Sequence, residues 1–274
     1  MRPTAKSYSN GTQKTVNDGQ VLTEWSKAGD ADIATVVVDR PAKLNALHMD
    51  LSKELAASFV ALRDTHARAV VLTGAGDKAF IGGADINTLK SLNPSSARTY
   101  ITSIHEVCAA IRSCAVPVVA RVNGYALGAG LEIAAACDMR IAEATAVMGM
   151  PEVKVGLPSV VEAALLPTLI GWGRARWMLM TGENIDASTG ARWGLIDILA
   201  EAGKLEKETA TTVASIASAA PYAMRVQKRL MRDWERLSLS DSIDAGIEAF
   251  VECYEAGSEP QDYVNAFLAK RKGG

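Results

Sequence analysis

The chain has 274 residues, 49% of them hydrophobic, enough to bury a sizeable core without help from disulfides or metal. Lys and Arg total 29 against 31 Asp and Glu, a formal charge of -2, so no global field draws in nucleic acid or an anionic membrane. No apolar run reaches the roughly 20 residues of a membrane span, and the four cysteines form no C-x-x-C pair, which fits reduced thiols, no zinc and a cytoplasmic setting.

Residues 1–19 are polar and lack the apolar segment of a secretory signal, so a flexible tail is expected there, with organelle targeting the less favoured reading. Two β-branched runs, 21–25 and 33–38, flank Gly29-Asp30 and read as a hairpin. Residues 51–67 carry apolar side chains at helical spacing, and 69–72 read as a buried strand that ends at Gly74 and Gly76. Asn93-Pro94 reads as an N-cap with proline at the first helical position, opening a helix whose apolar face includes Tyr100, Ile104, Val107, Cys108 and Ile111. A strand at 116–122, a helix at 131–137 and a short strand near 139–142 continue a strand-helix-strand rhythm, which argues for α/β layering. Beyond about Gly171 the β signals fade. Helices are expected at 202–219, 222–237, 241–255 and 261–271, the second of them apolar on one side only and in need of a partner. The expected organisation is a tail over 1–19, a β/α core over 20–200 and a helical region over 201–274.

Familiar cofactor cradles are absent: Gly74-Ala-Gly76 and Gly171-Trp-Gly173 both fail G-x-G-x-x-G, and no P-loop or G-x-S-x-G elbow occurs. The three histidines, His48, His66 and His105, have no second ligand at useful spacing and read as ordinary residues. Two glycine-rich turns remain, Phe80-Ile-Gly82-Gly83-Ala84-Asp85 and Gly124-Tyr-Ala-Leu-Gly128-Ala129-Gly130-Leu-Glu132. Small residues let peptide N–H groups approach a ligand, and the first N–H groups of a helix lack internal partners, so such turns suit an oxyanion. Either turn alone also reads as tight strand-helix packing. Glu132 sits in an otherwise apolar helical run, and Glu152 follows Met148-Gly-Met-Pro151. Burial of either acid would raise its pKa toward the range useful for proton transfer near neutrality, and two acids in one dry site can divide acid and base roles. Spacing alone does not establish that they meet.

In this order the motifs Arg40-Pro41-Ala-Lys-Leu-Asn45-Ala-Leu47, Ala79-Phe-Ile-Gly-Gly-Ala-Asp85-Ile86, Val122-Asn-Gly-Tyr-Ala-Leu-Gly-Ala-Gly-Leu-Glu132, Ala136-Cys-Asp138, Pro151-Glu152 with Gly156-Leu-Pro158, and Ala266-Phe-Leu-Ala-Lys-Arg271 resemble the enoyl-CoA hydratase/isomerase (crotonase) superfamily. The resemblance implies an α/β fold, the β/α superhelix of the ClpP/crotonase type, with C-terminal helices that build homotrimers or dimers of trimers. It implies an acyl-CoA thioester substrate, an oxyanion hole at the N–H groups of Gly82 and Ala129, and Glu132 and Glu152 as the catalytic pair. CoA would run past Ala42, Lys43, Leu44, Gly82, Gly83, Ala84, Asp85 and Ile86, with Lys270 a further contributor, and no metal or redox cofactor is needed. Two glutamates favour hydration of a 2-enoyl-CoA, as in fatty acid metabolism, with Glu132 taking the proton of water and Glu152 delivering one to C2, although a shared role fits equally. Sister reactions (isomerisation, thioester hydrolysis, dehalogenation, C–C cleavage) and a non-catalytic assembly or RNA-binding role are the alternatives. The chain departs from the family hydratases after Glu152, where Pro158-Ser-Val-Val-Glu162-Ala-Ala-Leu-Leu-Pro167 replaces a glycine-rich stretch; Pro158 and Glu162 are candidates for the acyl pocket. Glu162 reads either as an acid complementing a helix N-terminus or as a third carboxylate in that pocket.

Overall fold

A computed structural model describes residues 18–272, so the tail expected over 1–19 lies almost wholly outside the described residues. The elements run β1 (Gln20–Ala28), β2 (Ala31–Asp39), α1 (Met49–Ala61), β3 (Ala69–Gly74), β4 (Ala79–Ile81), α2 (Ile86–Ser91), α3 (Pro94–Arg112), β5 (Val118–Val122), β6 (Tyr125–Leu127), α4 (Ala129–Ala136), β7 (Met139–Glu143), β8 (Val147–Gly149), α5 (Leu166–Thr181), β9 (Ile185–Asp186), α6 (Ala187–Trp193), β10 (Ile198–Ala200), α7 (Leu205–Ser218), α8 (Pro221–Trp234), α9 (Leu239–Glu255) and α10 (Glu259–Lys272), with 3-10 turns at Pro41–Lys43, Pro151–Val155 and Val161–Leu165. No described helix is long and apolar enough to cross a membrane.

Two sheets are built by one winding motion. The larger has the order β1-β2-β3-β5-β7-β10 and the smaller β4-β6-β8-β9. Each of the pairs β3/β4, β5/β6 and β7/β8 places one strand in the large sheet and the next in the small one, which is the expected β/α superhelix without any repeat in sequence. Among the described residues only β1 with β2 and β8 with β9 pair antiparallel. The hairpin turns at Gly29, whose φ of +61° suits glycine. Alternate residues explain why the large sheet is covered on both faces. Ala34, Val36, Val38, Val70 and Leu72 face the main core with α1 and α3, while Ile33, Ala69, Val71, Val119 and Ile141 pack on Leu205, Val213 and Ile216 of α7.

The points where the chain leaves one sheet for the other are closed by buried amides. Asn45, fully buried, accepts the Arg40 N–H through Oδ1 (2.9 Å) and donates through Nδ2 to the carbonyls of Ala75 (3.0 Å) and Ala79 (2.8 Å). Asn123 donates to the carbonyls of Gly74 (2.9 Å) and Gly76 (2.7 Å). Kinked strand ends expose backbone carbonyls that a ladder would otherwise satisfy, and a side-chain amide is the compact group that can replace it. Helix α8 is docked by a cation. Lys228, 5% exposed, reaches Asp138 (2.7 Å) and the carbonyls of Val116 (2.9 Å) and Ile111 (3.3 Å). The expected one-sided apolar stripe therefore holds only in part: Val226 is buried, but Trp234 and Leu237 stay 44% and 40% exposed. The short β9, α6 and β10 fall where the sequence shows fading β signals, because strands of two or three residues carry too little alternation to read.

Candidate active site

The site is built around α4. All eight of its residues are buried, and its first turn is wedged against the small sheet: a Cβ on Gly130 would strike the carbonyl of Ile81. Gly128, with φ +51°, precedes the helix, and a Cβ there would strike the carboxylate of Glu152. The glycine makes the notch that lets Glu152, carried by the Pro151–Val155 turn, lie against the helix start. Helix and turn thus deliver two acids to one place. Both line a cavity of about 460 Å³ together with Ala84, Ala129, Tyr100, Ile101 and Pro158.

Their surroundings differ. Glu132 is 3% exposed and its Oε1 accepts the Ala163 N–H (3.2 Å). Burial, and next the negative charge of Glu152, push its carboxyl up to about 8, against the counter-effect of the Ala163 N–H. Glu132 therefore holds a proton at neutral pH. Glu152 is half-buried and accepts a hydrogen bond from the Ser159 hydroxyl (2.8 Å).

The two glycine-rich turns do converge, with one correction. The Gly82 N–H is spent on the Leu44 carbonyl (2.8 Å), so Gly82 is not an oxyanion donor. Leu47 N–H donates to Gly83 and Asp85 N–H to Leu47, each at 2.8 Å, forming a parallel bridge between Leu47 and Ala84. Such a bridge turns the N–H of the residue between, Ala84, to the opposite side. Ala84 lines the cavity, and among the described residues its N–H meets no acceptor. Ala129 opens α4, so its N–H lacks a helical partner and carries the positive end of the helix dipole. It has no positive φ, and alanine there leaves the donor in place. Ala84 and Ala129 are the available pair.

The remaining expectations divide. Ala42, Lys43 and Leu44 form an exposed turn tied to Gly82, consistent with a path along Gly82 and Gly83. Asp85 does not fit as a contact: it is 6% exposed, accepts the Thr88 N–H (2.9 Å) and pairs with Arg40 (2.7 Å), so it caps α2 and ties two motifs together. Ile86 is exposed at the start of α2 and does not line the cavity. The side chain of Lys270 lies outside the described residues. Pro158 lines the cavity, whereas Glu162 does not: it is buried against His105 (2.8 Å). His105 is thus more than an ordinary surface histidine, and His48 caps α1. The sequence reading missed Ser159, Ala163 and the α2–α3 wall of Leu89, Leu92, Ala97 and Ile101. No periodic signal marks Ser159 or Ala163, since both act through contacts made by the fold. Among the described residues no three His, Cys, Asp or Glu converge as a metal site.

A carboxyl raised from 4.5 to about 8 makes stability depend on pH with a definite sign. Its contribution is fully present below the unfolded value and is lost as the pH rises through about 8. Urea unfolding is expected to show wild type losing stability relative to Glu132→Gln between about pH 5 and about pH 9, by up to a few kcal/mol. Parallel curves would contradict the assignment.

The family model for enoyl-CoA hydratase/isomerase matches residues 28–273. A short-chain-enoyl-CoA hydratase of Clostridium acetobutylicum is 35% identical, covering 89% of this chain and 94% of the relative. A crotonyl-CoA hydratase of Syntrophomonas wolfei is 33% identical over 88% and 93%. Among solved structures, the enoyl-CoA hydratase from Bacillus anthracis superposes with a TM-score of 0.85 at 28% identity, covering 90% of this chain and 96% of that one. With cavity, paired acids and turns in the order that the motifs require, the chain belongs to the enoyl-CoA hydratase/isomerase family.

Proposed function

We propose that the protein is an enoyl-CoA hydratase, a hydro-lyase that reversibly adds water across the 2,3 double bond of a 2-enoyl-CoA to give a 3-hydroxyacyl-CoA. The observation that carries this reading is the meeting of a buried acid, a second acid and two unspent N–H groups around one largely apolar cavity. The named activities of the relatives from Clostridium acetobutylicum and Syntrophomonas wolfei support it. Ala84 and Ala129 would receive the thioester oxygen and stabilise the enolate-like charge that gathers there, roughly 3–4 kcal/mol per donor. Glu152 takes a proton from water as the water oxygen bonds to C3, and Glu132 gives its proton to C2. The proton gained by Glu152 then returns to Glu132, so the pair ends the cycle with one shared proton. In this division Glu132 is the acid and Glu152 the base, the reverse of the first assignment that the resemblance implies and within the shared role that it allows equally. No metal or redox cofactor takes part in this scheme, and a cytoplasmic setting remains part of the proposal.

The assembly is part of the same proposal. Helices α9 and α10 leave Ile243, Ile247, Phe250, Tyr254 and Phe267 on the surface, an apolar face suited to a trimer or a dimer of trimers. Light scattering is expected to give a mass divisible by three subunits; a monomer at micromolar concentration would contradict it. Crotonyl-CoA is the test substrate for the chemistry. Glu132→Gln and Glu152→Gln should each lower kcat at least about a hundredfold with folding retained. Wild-type turnover in either variant removes that acid from the scheme, and an inactive wild-type protein removes the hydratase reading.

A further inference from the structure

Glu162 has no task in the reaction just described, yet it is expensive where it stands. It is 8% exposed in the first turn of the 3-10 helix Val161–Leu165, which leads into α5; complementing a helix dipole needs no burial, so it does not account for the cost. Its Oε1 meets His105 Nδ1 at 2.8 Å, while Oε2 is buried with no nitrogen or oxygen partner among the described residues, and the weak donor thiol of Cys108 is the carboxylate's other neighbour. The preceding residue, Val161, has φ +38°, a left-handed conformation that a β-branched side chain resists at a cost of about 1–3 kcal/mol. A half-satisfied acid is poor evidence of a stabilising role, because an apolar residue of similar volume usually serves as well.

Both costs fall on one short turn with two contacts to the site. Val160 lines the cavity, and the Ala163 N–H donates to Glu132 Oε1 (3.2 Å). We propose that Glu162, clasped by His105, is a positioning residue for Glu132: it locks residues 160–163 so that the Ala163 N–H stays on Glu132 Oε1 and holds that carboxyl in its place at the cavity. Through this role it also acts on charge. Three elements bring titratable groups to Glu132. The Pro151–Val155 turn brings Glu152, and the Val161–Leu165 turn brings Glu162 with His105 behind it. Helix α3 brings Cys108, whose thiol is driven up by burial first and then by the charges of Glu162 and Glu132. Strand β4 has no titratable residue and β6 only the exposed Tyr125. Among these neighbours Glu162 opposes the ionisation of Glu132 alongside Glu152.

The inference rests on the hydratase reading, and its test separates the two. Glu162→Gln keeps the volume and removes the charge. The alkaline limb of kcat against pH, which follows Glu132, should move to lower pH by about half a unit or more, because a negative neighbour has been removed. At neutral pH kcat should fall about tenfold while KM stays within about twofold, since Glu162 does not line the cavity. An alkaline limb and kcat equal to wild type would overturn the proposal and leave Glu162 a structural acid. Should the glutamine variant not fold, His105→Asn removes the clasp and spares the buried carboxylate; the same fall in kcat at unchanged KM is then required, and wild-type kcat overturns the idea. Should the wild-type protein turn over no enoyl-CoA, the pH dependence of unfolding decides. Glu162→Gln must then bring the Glu132-linked loss of stability to lower pH, and coincident curves sink the proposal.

Discussion

A carboxyl group buried in a helix of small apolar residues is the constraint around which this molecule is arranged. In water Glu132 would ionise; inside α4, with Glu152 against the helix start, it keeps its proton to about pH 8. Two acids that share one largely apolar cavity need a surround that holds each of them in place. Gly128 gives Glu152 room to approach, Gly130 lets α4 press on Ile81, and the Ala163 N–H holds Glu132 from the far side.

The superhelix supplies that surround. Each turn of the coil drops a strand into the large sheet and then one into the small sheet, and the small-sheet strands β4 and β6 aim their following turns at the cavity. Sharp exits from the large sheet leave carbonyls without ladder partners, and Asn45 and Asn123 take them over. The same Arg40–Leu47 stretch then lies beside the Ala84 turn through Leu47 and through the Arg40–Asp85 pair. Residues that look like signature motifs in sequence are thus largely internal supports, and the two unspent N–H groups at the cavity belong to alanines, whose side chains carry no signature.

That split explains what could be read from the sequence. The hairpin at Gly29, the Asn93 cap of α3 and the four late helices were legible because local turn chemistry, capping and 3.6-residue periodicity are local signals. The pairing of Glu132 with Glu152 was legible only through the ordered motifs, since 20 positions of chain and a β-strand pair separate them. The oxyanion donor was misplaced at Gly82, because its N–H is consumed by Leu44, a partner that only the fold brings near. Lys228 reads as a surface cation on α8 until Asp138 and two carbonyls enclose it. Glu162 stands in the first turn of a helix, as the helix-end reading expects, but it does not line the cavity, and His105 on a different helix captures it.

Beside Glu152, and buried, Glu132 is expected to be neutral at physiological pH. Infrared difference spectroscopy of wild type against Glu132→Gln reads this directly, since a protonated carboxyl and a carboxylate absorb in separate regions. A protonated-carboxyl band is expected at neutral pH, absent from the variant and lost with a midpoint near pH 8. A Glu132 signal that is already carboxylate at neutral pH, with its midpoint in the ordinary range of about 4–5, would contradict it.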